Sequence, residues 1–78
     1  MKVEVRVRLK DGVLDPQGEA IRRVLGRLGY GEVRSVRVGK LIFLDVDGDD
    51  PEHVRKRVEE ACRELLANPV IEDFEVKT

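Results

Sequence analysis

The chain has 78 residues, 41% hydrophobic and 40% charged, with 15 Lys+Arg against 16 Asp+Glu for a net charge of −1. A chain of this length makes a single domain, residues 1–78, with a thin core, because it buries only about 60–65% of the surface it exposes when unfolded. The apolar content excludes a disordered chain, and the balanced charge excludes the one-sided positive field on which non-specific nucleic-acid binding relies.

Residues 2–9 open the pattern: Val3, Val5, Val7 and Leu9 alternate with Glu4, Arg6 and Arg8, the period of a strand with one face on a core. The connection that follows, LKDGVLDPQG, carries two apolar residues, Val13 and Leu14, and ends in a cap, a proline and a glycine. Asp15 is suited to N-cap a helix and Pro16 to occupy its first position, where a missing N–H costs nothing. Ala20, Ile21, Val24, Leu25 and Leu28 then recur at helical spacing opposite Arg22, Arg23 and Arg27, and Gly29 is placed to end the helix in a left-handed C′ conformation.

From residue 32, Val36 and Val38 alternate with Arg37, and Gly39-Lys40 separates that run from LIFLDV at 41–46, which predicts two strands joined by a tight turn. Asp50-Pro51 repeats the Asp-Pro device ahead of a second helical stripe, Val54, Val58, Ala61, Cys62, Leu65 and Leu66, which Asn68-Pro69 stops. Residues 70–77 complete a fourth strand, with Val70, Phe74 and Val76 on the core side. The order βαββαβ predicts an α+β two-layer sandwich of ferredoxin-like type, a four-stranded, mainly antiparallel sheet with two helices on one face. In the third strand Leu41 and Phe43 occupy the phase a solvated sheet face should keep polar, so they are either ordinary exposed residues or an oligomer interface.

Little in the chain points to catalysis. The only histidine, His53, falls at a helix start, and Cys62 lies in an apolar stripe, where a free cysteine behaves as a small hydrophobe. DVDGDD at 45–50 alternates acids like a calcium loop but lacks the bidentate glutamate such loops need, and the Asp-Pro cap accounts for it. GYGEVRSVRVGK does not match phosphate-cradling spacing. An acylphosphatase-like enzyme shares the element order but needs an arginine in the first loop, which offers only Lys10, and a placed asparagine, where the sole Asn68 precedes the last strand. No catalytic residue, metal site or cofactor site is therefore assigned. One cysteine, no signal segment and no long apolar run predict a cytoplasmic protein without membrane contact, and the scarcity of amides, Asn68 and Gln17 alone, predicts a thermophilic source.

The first connection stays open between two readings. Asp15 and Pro16 suffice as a cap, yet Gly18 in the first helical turn gives up about 1 kcal/mol of propensity, which makes sense where another backbone comes close.

Gly12-Val13-Leu14-Asp15-Pro16-Gln17-Gly18, with LGY and then Val36-Arg37 and Gly39-Lys40 downstream, resembles the PurS family, the small subunit of phosphoribosylformylglycinamidine (FGAM) synthase in purine biosynthesis. The resemblance covers essentially the whole chain. It implies a non-catalytic subunit that binds no cofactor itself. A glutaminase subunit, PurQ, would release ammonia, and a large synthetase subunit, PurL, would use ATP and magnesium to convert FGAR to FGAM. It further implies a homo-oligomer, dimer or tetramer, joined to both partners and assisting ammonia transfer. On this reading Gly12 to Gly18 together with Arg37, Gly39 and Lys40 form docking surfaces, with a solvated charged edge as the alternative for Arg37 and Lys40, and Leu41 and Phe43 contact another copy. A second expectation, from a different class, is a stand-alone regulatory module that binds a small ligand at a dimer interface.

Overall fold

Three valines alternating with charged residues place β1 (Lys2–Leu9) at the centre of the molecule, with Val3, Val5 and Val7 all buried. In the computed structural model, which describes residues 1–78, β1 is followed by α1 (Pro16–Arg27), β2 (Gly39–Asp45), α2 (Pro51–Ala61) and β3 (Glu72–Lys77), and one π-helical turn, Cys62–Leu66, extends α2. The three strands form an antiparallel sheet in the order β2-β1-β3. Val5 stands opposite Ile42 on one side and Val76 on the other, so the inward phases of all three strands coincide.

α2 covers that inward face. Its Val54 and Val58, with Cys62 of the π turn and Ala67, close the core over Val3, Val5, Val7 and Val76. Asp50 caps α2, accepting a hydrogen bond from the Glu52 N–H at 3.2 Å, and Arg55 ties the helix to β3 by donating to the Val76 carbonyl at 3.1 Å. Burial pushes the Cys62 thiol up, and the neighbouring Glu59 adds to the shift.

The sandwich is smaller than the predicted one. Residues 33–38 run without strand pairing, so the sheet has three strands, not four. The reason lies at Gly39-Lys40. A two-residue hairpin turn needs positive φ, which only Gly12, Gly29 and Gly48 adopt in this chain. Gly39 instead begins β2, in register with Arg8, and a Cβ there would lie 2.7 Å from the Val7 carbonyl oxygen. The final strand starts at Glu72; Val70, expected in the core, sits exposed in the preceding turn. Leu65, expected in the buried stripe, is also exposed, because the π turn's wider winding rotates it out of α2's apolar face.

α1 also departs from the predicted sandwich. It does not pack on the sheet beside α2; only α2 covers the face. The molecule is correspondingly long, 49 × 23 × 15 Å, with a radius of gyration of 16.0 Å where a compact chain of this length has about 11.5 Å. The end of α1 is nevertheless as read from sequence: Gly29 has φ +100°, its N–H reaches the Gly26 carbonyl at 3.2 Å, and the Tyr30 N–H reaches Leu25 at 2.9 Å, a Schellman cap. No helix is long and apolar enough to cross a membrane.

Candidate docking site

The connection from β1 to α1 is built as a clasp. Its base is fixed to the body, since the Lys10 N–H donates to the Ile71 carbonyl at 2.8 Å just before β3. The chain then reverses through Gly12, whose φ of +85° favours glycine, with the Val13 N–H closing back on the Lys10 carbonyl at 3.2 Å.

Asp15 serves two segments at once. One carboxylate oxygen accepts from the Gly18 N–H at 2.8 Å and caps α1; the other accepts from the Val38 N–H at 2.7 Å, on the strand-like run ahead of β2. These N–H groups, Val38 first and Gly18 second, hold its carboxyl below the usual carboxylate range, and the charge of Arg37 lowers it further. Arg37 makes the reciprocal tie. Its guanidinium donates to the Val13 carbonyl at 2.6 Å and to the Lys10 carbonyl at 3.1 Å, bracing the loop from the far side.

Gly18 completes the clasp. It is buried, and a Cβ at this position would penetrate the Val36 carbonyl oxygen, so only glycine lets the first turn of α1 lie on that backbone. The close approach that Gly18 implied is therefore made by this chain's own residue 36. Arg37 likewise faces its own loop.

The structure brings the residues singled out in sequence into one region, in two roles. Asp15, Gly18, Arg37 and Gly39 hold the backbone in place. Gly12, Leu14, Pro16, Gln17 and Lys40 are exposed on it, Leu14 at 87%, while Val13 is half-buried. Grooves flank Asp15 on both sides: one of about 380 Å³ lined by Leu14, Pro16, Glu19, Arg34 and Ser35, and one of about 270 Å³ lined by Gln17, Val38, Lys40 and Glu72. Arg34, Ser35 and the backbone of Val36 and Val38 were not among the residues expected to matter. Their alternating pattern reads as a strand, and no sequence signal says that the Val38 N–H goes to a distant cap.

Leu41 and Phe43 point from β2 to the sheet face away from α2, Phe43 at 72% exposure. They border an ionic lattice on that face: Lys2 with Asp45 at 3.1 Å, and Arg6 with Glu4 at 2.8 Å and with Glu75 at 3.9 Å. The other candidates are spent locally. Asp45 pairs with Lys2 and the amino terminus, Asp50 caps α2, and Asn68 accepts from the Val70 N–H at 3.1 Å in the turn before β3.

A small α+β body with a braced loop and a helix projecting uncovered from it is the architecture of an assembly subunit. The chain belongs to the PurS family, described as phosphoribosylformylglycinamidine (FGAM) synthase, whose pattern it matches over residues 2–78, and its function is that of the PurS subunit of this enzyme in purine biosynthesis. It is similar to the phosphoribosylformylglycinamidine synthase subunit PurS of Methanocaldococcus jannaschii, 46% identical across 97% of this chain and 92% of that one. Among solved structures, Bacillus subtilis PurS superposes with a TM-score of 0.87 at 45% identity, covering 97% of this chain and 94% of that one. A chain in the structure of PurLQS from Thermotoga maritima superposes with a TM-score of 0.87 at 41% identity, covering 97% and 93%.

Proposed function

We propose that this chain joins a glutaminase subunit, PurQ, to a synthetase subunit, PurL, in a cytoplasmic complex that converts FGAR and glutamine to FGAM and glutamate. ATP and magnesium are handled by the large subunit and none is bound here. The observation that carries the reading is the clasp. Asp15 and Arg37 make their hydrogen bonds within the chain, so Leu14, Pro16, Gln17 and Lys40 are held out in one geometry by four contacts of 2.6–3.1 Å. A surface already ordered loses less conformational freedom on binding, which favours association. Lys40 adds a charge that orients the encounter more than it tightens it.

Ammonia released at one active site is a nucleophile only while unprotonated, so a junction that excludes water between subunits preserves both its amount and its reactivity. This chain helps close that junction, and it does so as an oligomer, with Leu41 and Phe43 contributing apolar contact between copies. The relative whose structure is a PurLQS assembly supports the three-subunit arrangement. Mixing the purified chain with PurL and PurQ tests it: co-elution and glutamine-dependent FGAM synthesis that requires this chain are expected. A synthetase that ignores the chain and works equally well without it overturns the proposal. Chain that stays uncomplexed but is stabilised by a small metabolite supports the regulatory-module alternative instead.

A further inference from the structure

Two aspartates of this chain precede a glycine, in Asp11-Gly12 and Asp47-Gly48. The pair has its own chemistry. With no Cβ in the way, the glycine amide nitrogen can attack Cγ of the protonated aspartyl carboxyl. An N–Cγ bond forms, the carboxyl hydroxyl leaves with the amide proton as water, and a five-membered succinimide results. Water then reopens the ring at either carbonyl. One opening restores aspartate; the other leaves the chain running through Cγ with the α-carboxylate free, an isoaspartyl link of unchanged mass. The other aspartates are followed by proline, which has no N–H, or by a bulkier residue that hinders ring closure.

Both pairs are exposed, but the structure separates them. Ring closure requires rotation about the aspartate's ψ until the glycine nitrogen meets its Cγ. Asp11 and Gly12 are the central residues of a turn that the Val13 N–H closes on the Lys10 carbonyl at 3.2 Å. Gly12 has φ +85° and no other residue type has positive φ, which makes the turn type II. In that form the residue at Asp11's place has ψ of about +120°, which turns the glycine nitrogen away from the side chain. Arg37 locks the arrangement by donating to both ends of the turn, the Val13 carbonyl at 2.6 Å and the Lys10 carbonyl at 3.1 Å.

Asp47-Gly48 has no such restraint. It lies between two anchored points, the Val46 N–H on the Met1 carbonyl at 2.9 Å and the Asp50 cap of α2. Between them no turn hydrogen bond closes over Asp47, its carboxylate has no ion pair or donor, and the Gly48 N–H donates to nothing. We infer that Asp47-Gly48 is a site of spontaneous isoaspartate formation whose exposed α-carboxylate is a substrate for an S-adenosylmethionine-dependent carboxyl methyltransferase, while the clasp shields Asp11-Gly12 from the same chemistry. The change reaches the body of the molecule. It adds one backbone carbon three residues ahead of the Asp50 cap, where the loop packs so closely that a Cβ on Gly48 would lie 3.2 Å from Val54.

The test incubates the full chain, warm and at mildly acidic pH. Isoaspartate is then located by electron-transfer fragmentation and counted by methyl transfer from S-adenosylmethionine with a purified isoaspartyl methyltransferase. Conversion at Asp47 should run at least about tenfold faster than at Asp11, because the locked turn must first give up hydrogen bonds to a charged donor. Asp47→Glu, whose ring would be six-membered, should remove most of the methyl acceptance. Arg37→Ala should raise the rate at Asp11 about tenfold and leave that at Asp47 unchanged. Equal rates at the two sites in the native chain overturn the assignment, as does an Arg37→Ala chain in which Asp11 stays slow. A native chain that forms no isoaspartate at Asp47 while the free peptide of residues 44–50 does so overturns it as well.

Discussion

Two regions of this molecule are built on different principles. The body, β1–β3 with α2, is held by burial: a row of valines on the sheet meets Val54, Val58 and Cys62 with no polar side chain inside. The arm, the clasp with α1, buries almost nothing; Gly18 is its only buried residue, and a few hydrogen bonds to one carboxylate and one guanidinium hold it. Burial gives the body stability in isolation. Directional bonds give the arm a fixed shape without an independent core, which suits a surface that becomes complete only on contact.

The sharpest way to separate the regions is at Gly18. Gly18→Leu drives a side chain into the Val36 backbone and should cost the clasp about 3 kcal/mol, because backbone cannot yield as a side-chain tip can. From the loop's sequence alone the same change is expected to fold normally and only weaken assembly; the buried contact replaces that expectation with loss of the arm. Amide exchange should show residues 13–38 unprotected and the sheet unchanged. Val5→Ala attacks the other region. Removing two buried methyl groups should cost about 2 kcal/mol and lower Tm by roughly 10 °C, read by calorimetry, with the hydrogen bonds of the clasp intact.

Acid should act on the arm through Asp15. A carboxyl whose folded pKa lies below its unfolded value stabilises the fold above the unfolded value of about 3.9, and that contribution is lost as pH falls through the folded pKa. The Val38 amide should therefore keep its protection from pH 7 to about 5 and lose it progressively below about 4, and Asp15→Asn should abolish that dependence. The smallest effect belongs to the uncovered stripe: Val24→Ser should change the stability of the dilute chain by less than about 0.5 kcal/mol, measured by urea unfolding.

How legible each region was in the sequence follows from the same contrast. Period-2 and period-3.6 patterns report burial, so β1, α2 and both Asp-Pro helix starts could be read directly. Asp15, Gly18, Arg37 and Gly39 also stood out, because their chemistry is local and unusual. The clasp's connectivity did not. Val36 and Val38 carry a strand's alternation, but the Val38 N–H goes to Asp15 and the Val36 carbonyl lies against Gly18, and nothing in the residues between 18 and 36 records that contact. The position of α1 is hidden from the sequence for a related reason. An apolar stripe says that a helix needs cover, not that the cover comes from its own chain.

Amide hydrogen exchange of α1, compared between the chain diluted until it sediments as a monomer and the complex with PurL and PurQ, tests the central claim that the arm is unfinished until another chain meets it. The account predicts that Ile21 to Leu28 exchange rapidly in the free chain and gain strong protection in the complex, while β1 is equally protected in both. Equal protection of α1 in the two states would contradict it.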